Sequence, residues 1–387
     1  MLQKLFIFFF FLFSNQIAQA QFERDWVRYF TKSNLSEARS IIELSDGDLL
    51  VAGYSIRPRS AKADAWLILV DDSGKRLWEK SYGGKGWDEF VEIVEADNGD
   101  WVAVGWTDSE GAGKTDAWLV RISPIGELIW KKTFGDKRWD EGQSICKTSD
   151  GCFVLGMTFN PKKENNDFRL IKVDAKGNEV WRHEITGVNR ENAHGIREIS
   201  DKSIVLAGFT GSKGLGREDG LLVKLSPNGK LLWEQTFGTK HLDAFHDFVE
   251  LPNKDLIAVG FSRNPEKNGD LWLVKTDPNG NLLDEFLFGG NKFEKGRSIV
   301  IMPNNQFAVT GFTTSEGMGK ADTWALVFDF DLKLKWKGVF GGEEKDSARS
   351  IVATKDGGFA LAGKIDFSSV GAFLIIKYII EKKKGLD

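Results

Sequence analysis

GGKGWDEFVEIVEADNGDWVAVGWTDSEGAGKTDAWLVRISPIGELIWKKTFG, residues 83–135, reads as short strands joined by tight turns. Asn98-Gly99 supplies the positive φ that a hairpin turn requires. The apolar run that follows ends at Gly105. Asp116-Ala117-Trp118-Leu119-Val120 forms a third strand and Trp130 to Phe134 a fourth. The runs are rich in β-branched and aromatic residues, and none carries a long 3.6-residue apolar period, so almost no helix is expected.

Outward from this stretch, the same unit recurs seven times. Its landmark glycines are Gly53, Gly105, Gly156, Gly208, Gly260, Gly311 and Gly363, at steps of 51 or 52. A period near 50 that cannot bury itself alone marks a propeller or a solenoid. In the first unit, Arg39–Leu44 is strand A, Leu49–Tyr54 strand B, Asp64–Val70 strand C and Leu77–Tyr82 strand D, with turns at Asp46-Gly47 and Asp71–Gly74. The chain ends decide between the two architectures. The seventh unit has Ile351, Phe359–Gly363 and Phe373–Tyr378 for strands A to C but no strand D. Trp26–Phe30 near the start has the spacing of an orphan strand D, matching Trp78–Tyr82 and Trp130–Phe134. A strand from one end completing the last unit at the other closes a ring and hides both sheet edges. The expected fold is therefore all-β: a seven-bladed β-propeller with four antiparallel strands per blade. The blades fall at about 35–82, 88–134, 140–185, 191–237, 243–288, 294–340 and 346–378 plus 22–31, before a basic tail, 381–387.

Composition bounds the function. The chain has 387 residues, 28% of them charged, and a net charge of −4, which excludes a nucleic-acid protein built on a dominant basic face. Two cysteines exclude a disulfide scaffold. A two-residue turn would set Cys146 opposite Leu155 rather than Cys152, which argues against a bond between the pair. Lys4, the apolar run Leu5–Phe13 and Ala18-Gln19-Ala20 follow the order of a secretory signal cut before Gln21. That run is too short for a span of ~20 residues, and no later stretch reaches that length. Gln21 is not cysteine, so a lipid anchor is not expected. The protein is expected to be exported, periplasmic or extracellular, and monomeric.

The pattern GG…D-E…I…DG…V-x-G-x-T-x-S…D-A-W-L-V…W-x-x-x-[FY]-G resembles the repeats of bacterial secreted β-propeller proteins of the SBBP type. The likeness is fullest over 83–135 and covers nearly all of 24–378. The segments Asp174–Trp181 and Ser226–Trp233 also resemble quinoprotein propeller repeats. The resemblance implies a propeller and an extracytoplasmic setting, not one activity. Ten of the 14 tryptophans recur at fixed strand C or D positions and read as core.

Strand alternation places the D–A and B–C connections on one face, with strand A nearest the central channel. Loops on a rigid frame are where binding concentrates. Acids precede strand A at Asp88, Asp140, Glu191, Asp243, Glu294 and Asp346; as repeat positions they read as acceptors of backbone N–H bonds. Three residues on stand Arg39, Val91, Gln143, His194, His246, Arg297 and Arg349. Trp87 and Trp139 precede their acids, and are expected to lie side by side as aromatic plates at the channel mouth. The candidate binding residues are thus Trp87, Trp139, Arg39, His194, His246, Arg297 and Arg349. Gly111–Thr115 fails as a phosphate loop, because Asp108 stands where the first glycine belongs and a strand follows. No G-x-S-x-G elbow and no three-ligand metal cluster is present, so no cofactor or metal is expected. The leading expectation is a non-catalytic binding scaffold for a protein or glycan ligand. The alternative is a propeller enzyme, quinoprotein-like or glycan-active.

Overall fold

The computed structural model describes residues 22–33, 35–162, 165–263, 268–368 and 370–381. The proposed leader 1–20, the tail beyond 381, and 163 and 264–267 of two B–C loops lie outside them. The described residues form 28 strands in seven four-stranded antiparallel sheets and no helix. Six sheets are consecutive. The seventh joins Ser347–Ala353, Phe359–Phe367 and Val370–Ile380 to the N-terminal strand Phe22–Phe30, which pairs Phe22 with Ile380 and Phe30 with Phe373. The ring is closed as the repeat phase requires.

The core is seven wedges, each filled from two adjacent blades. Leu50, Leu67, Phe90 and Trp118 share one wedge between blades 1 and 2, while Trp66, Ile375 and Phe373 join blade 1 to blade 7. Each sheet is therefore buried on both faces. That is why strands B and C read as continuous apolar runs rather than as an alternation. Strand C tryptophans Trp66, Trp118, Trp272 and Trp324 are buried. Strand D tryptophans are wedges at the blade edge, Trp26 buried and Trp181 half-buried: the Trp26 indole donates to the Asp72 carbonyl at 2.8 Å and that of Trp181 to Pro227 at 3.0 Å, each in the next blade's C–D turn.

The A–B turns are longer than the two-residue turns expected. In blade 3 the loop Thr148–Cys152 is closed by Thr148 N–H donating to the Cys152 carbonyl at 2.9 Å, and Asp150 accepts from the Thr148 hydroxyl at 2.6 Å. The register follows: Cys146 sits opposite Val154, not Leu155, and both cysteines are free thiols. The positive φ of Gly47, Gly99, Gly151 and Gly357 is present in these loops.

Every inner strand A carries a β-bulge at the same place. Register slips at Arg39, Val91, Gln143, His194, His246, Arg297 and Arg349. The bulge also explains the landmark glycines. Strand A is pressed onto strand B just ahead of it, so a Cβ on Gly260 would collide with the Ala244 carbonyl and one on Gly311 with that of Lys295.

Candidate functional site

A bulge leaves one residue unpaired and re-aims its side chain. Here it turns one side chain per blade into the central channel, where those seven residues line a cavity of about 300 Å³ with the polar residues that follow them, including Glu92, Asp247 and Ser298. The Arg/His ring proposed from spacing is thus brought together on one surface. An aromatic collar not singled out from the sequence surrounds it. The residue after each landmark glycine is Tyr54, Trp106, Phe209, Phe261 or Phe312 in five blades. Arg39 lies 5.4 Å from the Tyr54 ring centre and Arg297 5.4 Å from that of Phe312; His194 and His246 rest against Phe209 and Phe261. The glycine landmark itself points to these positions.

The charges are unevenly arranged. Glu37, Glu89 and Glu141 sit two residues before the bulge in blades 1–3; the equivalents in blades 4–6 are Asn192, Ala244 and Lys295. Burial works against the Glu37 charge, but Arg39 and Arg349, the latter donating at 2.6 Å, outweigh it and hold the carboxyl at about 2. Burial pushes Glu92 up to about 7 despite hydrogen bonds from the Ser144 hydroxyl and the Ile145 N–H. His194 and His246 stack at 4.6 Å. Burial and the nearby Lys295 and Arg297 lower His194 to about 3 and drive His246 well below its usual range, so both imidazoles are neutral near pH 7.

The acids ahead of strand A are occupied by the frame. Asp88 accepts from Gly84 N–H at 2.8 Å and from the Ser109 hydroxyl at 2.6 Å. Asp243 accepts from Thr239 N–H and hydroxyl, and does not converge with the two histidines. The B–C loop of blade 2 spends its N–H groups on its own strand: Gly113 N–H donates to Asp116 at 2.9 Å, as Gly216 N–H does to Asp219 at 2.8 Å in blade 4. Those loops are frame, which agrees with the failure of the phosphate-loop pattern.

B–C loops and the following D–A loops share a face and are stitched together. Asp140 N–H donates to the Thr115 carbonyl at 2.9 Å and Asp243 N–H to Glu218 at 2.9 Å. Trp87 and Trp139 lie on this face but do not pair: among the described residues no ring contact joins them. Trp87 stacks on Trp106 at 5.9 Å, touches Tyr54 at 5.4 Å, and its indole donates to Glu89 at 3.1 Å. Trp139 is 51% exposed, with Lys114 5.8 Å from its ring centre. Farther round, a cavity of about 620 Å³ is lined by Arg217, His241, Arg263, Lys292 and Phe293, and one of about 500 Å³ by Arg190, Asn189 and Glu218. Sequence reasoning missed these because each pocket joins side chains from neighbouring blades that no local motif links.

No family model matches the chain, and neither does any curated protein. Solved structures do. The chain is similar to the Pan2 WD40 domain of Neurospora crassa, with a TM-score of 0.56 and 12% identity over 94% of this chain and 97% of that one. It is also similar to Sqt1 of Chaetomium thermophilum, with 0.51 and 13% over 88% and 82%. Drosophila Plexin A, solved with Semaphorin 1b, gives 0.52 and 8% over 93% and 88%. The fold is a β-propeller. At such identities the likeness carries architecture and nothing of ligand.

Proposed function

We propose that this propeller is a non-catalytic binding module, exported by its N-terminal segment and engaging a protein or glycan through the D–A and B–C loop face. One observation carries the reading: on this face the exposed Trp139 shares a rigid ring with two cavities rimmed by Arg190, Arg217, Arg263 and Lys292, the larger also by Phe293. Flat aromatic area beside donors is what a stacked sugar or a protein hot spot requires. The opposite face offers short turns whose polar groups are already bonded, as Asp174 is to the N–H groups of Lys176 and Asn178. The likeness to secreted bacterial repeats supports the extracytoplasmic setting. Plexin A, with a related fold, was solved with a protein ligand.

A glycan array and a pull-down with protein beginning at Gln21 test the proposal. Trp139→Ala is expected to leave stability within about 1 kcal/mol, the usual range for an exposed site. It should weaken the recovered ligand by roughly 2 kcal/mol or more. Undiminished binding in that variant and in Arg263→Ala would refute the loop-face assignment. Cell fractionation, with N-terminal sequencing of the product, checks export.

A further inference from the structure

Five cationic side chains among the described residues reach the channel, and three have anions. Arg197 pairs with Asp247 at 2.8 Å, Arg349 with Glu37 at 2.6 Å, and Arg39 with Glu89 at 3.4 Å and Glu37 at 3.6 Å. Arg297 and Lys295 have no carboxylate at ion-pair distance. The Nε of Arg297 is a buried donor without an acceptor, and His246 Nδ1 beside it has no partner either. Aromatic faces flank both cations: Arg297 lies against Phe312, and Lys295 Nζ is 4.8 Å from the Phe261 ring centre. A ring face moderates a charge without neutralising it. Burial and Arg349 both press against the Arg297 charge, yet a guanidinium keeps its proton in proteins. An unpaired charge in such a place is costly.

We propose that the channel binds a small molecule through an oxyanion group, phosphate or carboxylate, held by Arg297 and Lys295 with His246 and Arg349 beside them. The planar guanidinium fork matches two oxygens of such a group, and the ammonium adds a point charge. The cavity of about 300 Å³ stands at the small end of ligand sites, which suits a metabolite-sized body and excludes a folded partner. The site is separate from the loop-face reading and does not rest on it.

Binding has a proton signature. Lys295 faces Arg297, Arg349, His194 and His246, with Glu218 as the one nearby acid that favours its charge; burial, then Arg297 and Arg349, bring it down to about 7. An arriving anion favours the ammonium form, so at pH 8 binding takes up a proton from buffer.

Calorimetric titration of the protein from Gln21 with inorganic phosphate, glucuronate and neutral glucose, in two buffers of different ionisation enthalpy, tests this. At least one oxyanion is expected to bind saturably, with glucose silent. Arg297→Gln should weaken binding at least ~10-fold while melting at or above the wild-type temperature, since it removes an unpaired charge. Lys295→Met should abolish the buffer-dependent heat. Phosphate alone, or glucuronate alone, assigns the source of the oxyanion. Absence of saturable binding by either, or equal binding by Arg297→Gln, overturns the proposal. Trp139→Ala leaves this site unchanged, so its failure and that of the loop-face reading are separable.

Discussion

Trp118 is 2% exposed and stacks at 5.3 Å on Phe90 of its own sheet, in the wedge that blade 2 shares with Leu50 and Leu67 of blade 1. Trp118→Ala removes a large side chain that the two sheets cannot collapse to replace, and should cost about 3–5 kcal/mol in chemical denaturation. A wild-type midpoint would mean the wedge does not carry the blade contact. Glu92 offers a pH test. Its carboxyl faces Arg197 and Asp247 across the channel, and it acts electrostatically on the buried Cys146 thiol. Burial raises it from 4.5 to about 7 in the fold, so the native state holds a proton that the unfolded chain releases earlier. Its contribution is therefore full below about pH 4.5 and is lost as pH rises through 7. Glu92→Gln keeps an acceptor for Ser144 and Ile145, and its melting temperature should lose that decline between pH 5 and 8. A wild-type slope would place the titration elsewhere. The fixed tryptophans were legible as core because they recur. Trp87 was not legible as packed, because its partners Tyr54 and Trp106 lie on strand B of two blades.

At the scale of the strand, the glycine landmark and the channel ring are one feature. A bulge that turns Arg297 inward also presses the Lys295 carbonyl onto Gly311, leaving no room for a methyl group. Gly311→Ala is expected to destabilise by about 1–3 kcal/mol through overpacking, measured by urea unfolding. An unaffected midpoint would show that strand A can retreat. Spacing alone located the seven ring positions, six by a constant offset from an acid and Arg39 by the repeat period, since Ser36 stands where the acid would be. It did not reveal the bulge, because an extra residue in one strand shows only against its partner's register. The five-residue A–B loops were hidden for the same reason: Asp-Gly marks a turn, while the hydrogen bonds of Thr148 set its length.

On the scale of the ring, blade number and the closing strand were legible because the repeat phase starts in strand D and stops in strand C. The loop-face cavities were not, since each is formed where loops of neighbouring blades meet, and no local motif links those loops. Deleting 22–31 would strip Val370–Ile380 of its partner and remove the Phe22 ring from Trp336 and Phe359. Aggregation or loss of the cooperative melt is expected. A truncated protein that runs as a monomer with unchanged melting would contradict the closure. The same pairing sets a clock on biogenesis. The ring's N-terminal strand has its partner in the ring's C-terminal strand, more than 340 residues later, as Trp26 opposite Lys377 shows. Until that strand is made the nascent arc has a gap that no upstream blade can fill, and closure waits for its synthesis. The slowest phase of refolding should accordingly be this end-to-end docking rather than the formation of any single sheet.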